Sequence, residues 1–390
     1  MSPAIPIAIT GGEVYTPAEQ YSPGLVVIEQ AKISYAGPLR PELIPAGAQV
    51  WDATGQIVAP GFVDSHIHGC GGADCLRDGA VGIRQMAQFL ARRGVTAFLP
   101  TTPSAPLAQL EEAVRAVREV MAQPTEGAQV LGLHLEGPYL ASARKGAHVA
   151  AHLRNPSIGE LAHLVELGQG AIKLVTLAPE LPGALAAIEW LSQHGIVASL
   201  GHSNASYQQA QAAIAAGATR GCHLFNAMPE LSKREPGLVG ALLEDERVFA
   251  EFIADLHHLH PVMLKMALLL KGLRHSILIS DAIEAAGRPD GQYDLGGLEI
   301  AVKDGVARLA DGTLAGSTLT LDRAVRNVVQ ELKLPLAEAL IMASRTPADS
   351  LGLLSKGRLQ PGADADLVIL KGDLFVAMTV VGGEVVYQGA

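Results

Sequence analysis

The sequence is short of aromatic rings, cysteines and charges. Aromatic residues make up 4% of 390 residues, so a core has to be assembled from Ala, Val, Leu and Ile. Three cysteines, Cys70, Cys75 and Cys222, are too few for a disulfide framework, which excludes the small stapled secreted scaffolds. Charged residues at 17% fall well below what a disordered chain carries. Positive charge is in deficit: 29 Lys and Arg against 39 Asp and Glu leave a net charge of −10. That balance argues against nucleic acid or an anionic membrane as the main partner, while leaving room for a small anion in a local Arg and His pocket. Apolar runs such as residues 263–270 are far too short to span a bilayer. The opening MSPAIPIAITGGEV lacks a basic start and a long apolar run, so no signal peptide is expected and the cytoplasm is the expected location.

Glycine (42) and proline (23) are plentiful, as in an α/β protein with many tight loops. Apolar runs at 5–10, 24–29 and 32–37, and again at 365–370 and 376–387, are broken by Gly and Pro. They predict short strands at both ends, and hence a small β-sandwich domain formed jointly by residues 1–57 and 360–390. Between them, residues 58–359 alternate eight apolar strand-like runs (57–64, 96–101, 130–136, 172–178, 197–202, 220–225, 250–255 and 276–281) with Ala-rich amphipathic segments. This pattern predicts a TIM-like (β/α)8 barrel, with an open doubly wound sheet as the alternative. Residues 292–309 alternate around Asp304-Gly305 and predict an inserted hairpin near 290–312.

Reactive side chains in such a barrel belong at the C-terminal strand ends, and here they cluster there. The first strand ends Asp64-Ser65-His66-Ile67-His68, the third His134-Leu135-Glu136-Gly137-Pro138, the fifth Gly201-His202-Ser203. The sixth ends Cys222-His223-Leu224-Phe225-Asn226 and the eighth Ile279-Ser280-Asp281. Strand alternation puts His66 and His68 on one side, about 6–7 Å apart. A lone strand-end histidine is ordinarily a hydrogen-bonded polar residue, and a lone His-x-His says little. Several such groups at successive strand ends point to a metal site, with imidazole and carboxylate donors suited to Zn2+ and, close behind, Fe2+ or Mn2+. Cys70 and Cys75, in a glycine-rich loop, read as spare thiols. Asp281 also has a plainer reading, as a helix N-cap, and Arg234 as a solvated loop residue.

These residues carry a resemblance. Ala59-Pro60-Gly61-Phe62-Val63-Asp64-Ser65-His66-Ile67-His68 and Pro361-Gly362-Ala363-Asp364-Ala365-Asp366-Leu367-Val368 resemble the opening and closing motifs of the amidohydrolase superfamily. More narrowly, the chain is similar to the family of N-acetylglucosamine-6-phosphate deacetylases. That likeness rests on His134-Leu135-Glu136-Gly137-Pro138-Tyr139, Lys145-Gly146-Ala147-His148, His223-Leu224-Phe225-Asn226-Ala227-Met228-Pro229, Arg234-Glu235-Pro236-Gly237 and Gly312-Thr313-Leu314-Ala315-Gly316-Ser317. The resemblance implies hydrolysis of the acetamide of N-acetyl-D-glucosamine 6-phosphate, with the N-acetylgalactosamine 6-phosphate epimer or another small N-acyl or cyclic amide as alternatives. It implies that Glu136, His202 and His223 bind the metal that activates water, and that His66 and His68 serve a second ion, giving one or two per subunit. Asp281 would move protons and His148 would polarise the acetyl carbonyl. Arg234 and His258 would bind the phosphate, with Ala147, Asn226, Ala227, Leu314, Ala315 and Gly316 around the sugar. His257 and His260 leave the register of His258 open. A homodimer is implied, with a phosphate ligand able to cross the subunit interface.

Overall fold

Eight parallel strands form the centre of the computed structural model, which describes residues 5–389. Residues 1–4 and 390, at the extremes of the predicted terminal domain, lie outside that description. The strands are β1 (Phe62–Ile67), β2 (Val95–Thr102), β3 (Leu133–Glu136), β4 (Ile172–Leu177), β5 (Val197–Leu200), β6 (Arg220–Gly221), β7 (Phe249–Ile253) and β8 (Ser276–Ile279). They pair in chain order. Just past β8 the circle closes, where the Asp281 N–H donates to the His66 carbonyl and the His68 N–H to the Ala282 carbonyl, both at 2.9 Å. That closure excludes the open doubly wound sheet.

Helices cover the barrel because one stripe of each is apolar. Along α1 (Leu107–Met121), Leu110, Ala113, Val114, Val117 and Val120 are buried at the i, i+3, i+4, i+7 spacing, while Glu112, Arg115 and Arg118 face solvent. The N-terminus of the helix Tyr207–Ala215 is closed by a capping box, Ser206 with Gln209.

Several local expectations change, among them the third run, 130–136, which divides into Gln129–Val130 and Leu133–Glu136. The run at 57–64 is two strands, not one. Ile57–Pro60 pairs with Leu367–Leu370 and Glu13–Tyr15 in an outer sheet, and only β1 enters the barrel. The break falls at Gly61, where a Cβ would lie 2.2 Å from Thr96 Cγ2. The sixth strand, expected over 220–225, stops at Gly221; Phe225 (φ 76°) and Ala227 (φ 51°) then turn the chain sharply. The predicted hairpin is a three-stranded antiparallel sheet, Gly291–Leu295, Leu298–Lys303 and Val306–Arg308.

The two chain ends build a pair of sheets. One has four strands from the N-terminal region; the other has six and mixes both ends. Ile9, Val26, Val58, Leu367 and Val380 share their common core, which makes the β-sandwich a product of both termini. Among the described residues, no helix is long and apolar enough to cross a membrane.

Candidate metal centre

The barrel's C-terminal rim brings five of the predicted histidines around one carboxylate. The Nε2 atoms of His66, His68, His148, His202 and His223 lie 3.5, 3.3, 3.4, 3.2 and 2.9 Å from the Glu136 oxygens. Asp281 Oδ1 closes the ring at 3.4 Å from His66 and 3.2 Å from His68. All seven side chains are buried. His202 and Asp281 hold left-handed backbone, φ 47° and 48°, a conformation costly for non-glycine residues and concentrated at functional sites. Gly146 leaves room for one of them, since a Cβ there would touch the His202 ring at 3.0 Å.

The outer ring nitrogens decide what the inner ones present. His68 Nδ1 faces the Thr101 carbonyl, His202 Nδ1 the Arg144 carbonyl and His66 Nδ1 the Glu251 carboxylate, each at 2.9 Å. Those partners only accept, so each Nδ1 carries a proton and each neutral ring turns an Nε2 lone pair inward. His202 Nε2 then sits 3.0 Å from His223 Nε2, and His66 Nε2 has no hydrogen-bond partner. Lone pairs facing lone pairs and carboxylates repel unless positive charge lies among them. Donors about 2.0–2.1 Å from a tetrahedral ion would stand about 3.3 Å apart, which matches the spacings here. In four trios the donor atoms lie within 4.8 Å of one another: His66–His68–Asp281, Glu136–His148–His202, Glu136–Cys222–His223 and His66–Cys222–Glu251. The residues fit a divalent cation.

Without a cation the charge is supplied by protons. Burial pulls the His66 pKa down, but Glu136, with Cys222, Glu251 and Asp281, overrides it and holds it well above the ordinary value. The same contest lifts His68 to about 9, with Asp281 and Glu136 as the opposing charges. Burial pushes Glu136 up, yet the neighbouring imidazoles, His66 foremost, hold it well below the usual carboxylate range.

His148 differs from the others. Its Nδ1 accepts from the Ser104 backbone N–H at 3.0 Å, so its proton sits on Nε2. Burial, then the charge of His202, lowers its pKa to about 4. At neutral pH it is an uncharged donor aimed into the site, not a lone-pair ligand. His134 is occupied by the Thr176 and Thr101 hydroxyls.

A cavity of about 330 Å³ opens above the cluster. His68, His148 and Asp281 reach its floor; Ala147, Asn226, Ala227, His258, Leu314 and Gly316 line its walls. His258 holds Asp255 Oδ2 at 2.7 Å, whereas His257 is exposed and His260 caps the helix Pro261–Lys271. Two expected residues lie elsewhere. Ala315 is buried behind the wall with Ile283 and Ile300, because its neighbours Leu314 and Gly316 take the cavity side. Arg234 is exposed on a loop and does not line the cavity of its own chain. Arg144, which does line it, escaped the sequence reading although it adjoins the Lys145-Gly146-Ala147-His148 motif. Cys70 and Cys75 are buried and free, outside the donor groups. A second cleft, of about 550 Å³ beside Lys32 and Lys356, offers less chemistry, since Lys356 is already held by Gln129 and Asp366 at 2.6 Å each.

Comparison with known proteins adds to this geometry. The amidohydrolase family model matches residues 57–386. The N-acetylglucosamine-6-phosphate deacetylase of Vibrio furnissii is 41% identical over 358 residues, 92% of this chain and 88% of that protein. The N-acetylgalactosamine-6-phosphate deacetylase of Escherichia coli O157:H7 is 42% identical over 341 residues, 87% of this chain and 90% of that protein. Among solved structures, a variant N-acetyl-D-glucosamine-6-phosphate deacetylase from Mycobacterium smegmatis in complex with N-acetyl-D-glucosamine-6-phosphate superposes with a TM-score of 0.92. It is 38% identical and covers 99% of this chain and 100% of its own.

Proposed function

The chain belongs to the amidohydrolase family, and on that premise we propose that it hydrolyses the acetamide of N-acetyl-D-glucosamine 6-phosphate to D-glucosamine 6-phosphate and acetate. The observation that carries this reading is the set of imidazole and carboxylate donors converging on the floor of a sugar-sized cavity. Glu136, His202 and His223 would hold one divalent ion, and His66, His68 and Asp281 a second. Zn2+ suits this set best, followed by Fe2+ or Mn2+. Such an ion supplies Lewis acidity toward a water and an acyl oxygen.

The chain's own groups do the rest. Asp281 takes a proton from the attacking water and delivers it to the amide nitrogen as the C–N bond breaks, because an unprotonated amine leaves badly. His148 donates its Nε2 proton in a hydrogen bond to the acetyl oxygen, where negative charge develops. His258, with backbone groups of Asn226 and Ala227, receives the phosphate.

Arg234 fits this scheme in a homodimer, where it reaches the cavity of the other copy. An apolar face supports the dimer: Val262, Met266, Leu269 and Leu270 on the helix Pro261–Lys271 are 58–67% exposed, a stripe that a soluble monomer seldom leaves uncovered. Arg234→Ala is expected to raise KM for the phosphorylated sugar about 10–100-fold, the worth of a charge-assisted hydrogen bond, and to leave the unphosphorylated sugar unchanged. Leu269→Glu should yield monomers by light scattering and reproduce that KM defect. Equal losses on both sugars would remove the phosphate role.

The galactosamine epimer is a second reading, favoured by a relative that is equally similar. Acetate release from the two sugar phosphates, compared as kcat/KM, decides between them; failure on both overturns the function.

Binding of Zn2+ to metal-free protein at pH 7 is expected to release protons, since His68 (held at about 9), His66 and His223 are protonated there and must lose that proton to coordinate. Calorimetric heats should therefore vary with the buffer's ionisation enthalpy. Buffer-independent heats would show that the rings were neutral beforehand.

A further inference from the structure

Beneath the rim lies a buried ion pair that the reaction scheme does not use. Glu251, on β7, and Arg220, on β6, are both fully inaccessible. Glu251 Oε1 accepts from Arg220 Nε at 2.8 Å. Arg220 Nη1 donates to Ser350 Oγ at 2.9 Å, and Nη2 donates to Ser65 Oγ. Such a pair is costly to desolvate and is seldom retained for stability alone.

Its other oxygen is where the pair meets the metal centre. Glu251 Oε2 accepts from His66 Nδ1 at 2.9 Å and from the His223 backbone N–H at 3.1 Å. One atom thus touches a residue proposed for each of the two ions. The histidines also differ in how they are oriented. His68 and His202 lean on backbone carbonyls, whereas His66 leans on a full negative charge. A carboxylate behind an imidazole fixes its tautomer and raises its basicity as a ligand. Arg220 fixes the carboxylate in turn, from three elements at once: β6, the strand β1 through Ser65, and the helix Arg345–Ser350.

We propose that Glu251, locked by Arg220, is a positioning residue that makes His66 a metal ligand and so sets whether the centre holds two ions or one. This rests on the metal reading given above. Glu251 touches no substrate; the ligand ring it contacts is that of His66, whereas His223 meets it through its backbone N–H.

The test loads the protein with Zn2+, dialyses it against graded chelator, and measures metal per subunit and the affinity of each ion by competition. The unaltered chain is expected to hold two ions. Glu251→Gln is expected to lose one of them about 10–100-fold more readily, with the other unchanged within about 2-fold and lost activity restored by excess Zn2+. The double variant His66→Asn with Glu251→Gln should release that ion no more readily than His66→Asn alone. Should Glu251→Gln fail to fold, Ser350→Ala loosens Arg220 from a distance and is expected to weaken the same ion by about 3-fold. An unaltered chain that binds no metal overturns the metal reading itself, and one that binds a single ion overturns the two-ion centre. Two ions with unchanged affinities in the variants, or additive losses in the double variant, overturn the role of Glu251 alone.

Discussion

Asp281→Asn is expected to keep its metal and lose about 10²–10⁴-fold in kcat, the range supplied by a positioned acid–base group. Asn preserves the shape of the side chain and can still present an oxygen to His66 and His68, which lie 3.4 and 3.2 Å from Oδ1. It cannot take up a proton. Burial would raise the Asp281 pKa, but the neighbouring His66 and His68 hold it below the ordinary value, so the native group is a ready acceptor at neutral pH. The loss should therefore fall on kcat, with KM and metal content little changed. A near-native kcat with full metal would remove the proton-transfer role, and a loss of kcat that excess metal restores would leave Asp281 only its part in holding the second ion.

Glu136→Gln is expected to be the most damaging single exchange at the site. Glu136 faces five imidazoles, among them rings proposed for both ions. Gln retains the volume and can still accept a hydrogen bond, so the fold should survive, with a thermal midpoint close to that of the unaltered chain. Without the carboxylate, both ions should be lost to mild chelation. Turnover should then fall at least about 10³-fold, corresponding to several kcal/mol of lost charge stabilisation. Glu136→Gln with full metal and more than about a tenth of native kcat would show that the carboxylate is not central.

Much of this site was legible in the sequence because barrel geometry turns strand ends into addresses. His66, His68, Glu136, His202, His223 and Asp281 stand far apart in the chain, yet each closes an apolar run, and the barrel gathers those ends on one rim. The features that were not legible depend on partners remote in sequence. The run at 57–64 is uniformly apolar, and only pairing with Leu367–Leu370 shows that its first half leaves the barrel. Arg234 sits in a recognisable motif, but its exposure on the protein surface could not be read from residue type. The proton position on His148 depends on the Ser104 amide, 44 residues away. Arg220 and Glu251 did leave a trace, since long charged side chains inside short barrel strands must find each other or pay a heavy desolvation penalty. What residue type could not show is that the Glu251 carboxylate lies behind His66.

Acetate released from N-acetyl-D-glucosamine 6-phosphate, measured together with metal content on the same samples from chelated through fully reloaded protein, decides whether the hydrolysis requires a metal held by these side chains. Acetate release should be absent in the stripped protein and rise in step with bound metal. Undiminished release from protein stripped of metal would show that the hydrolysis needs none.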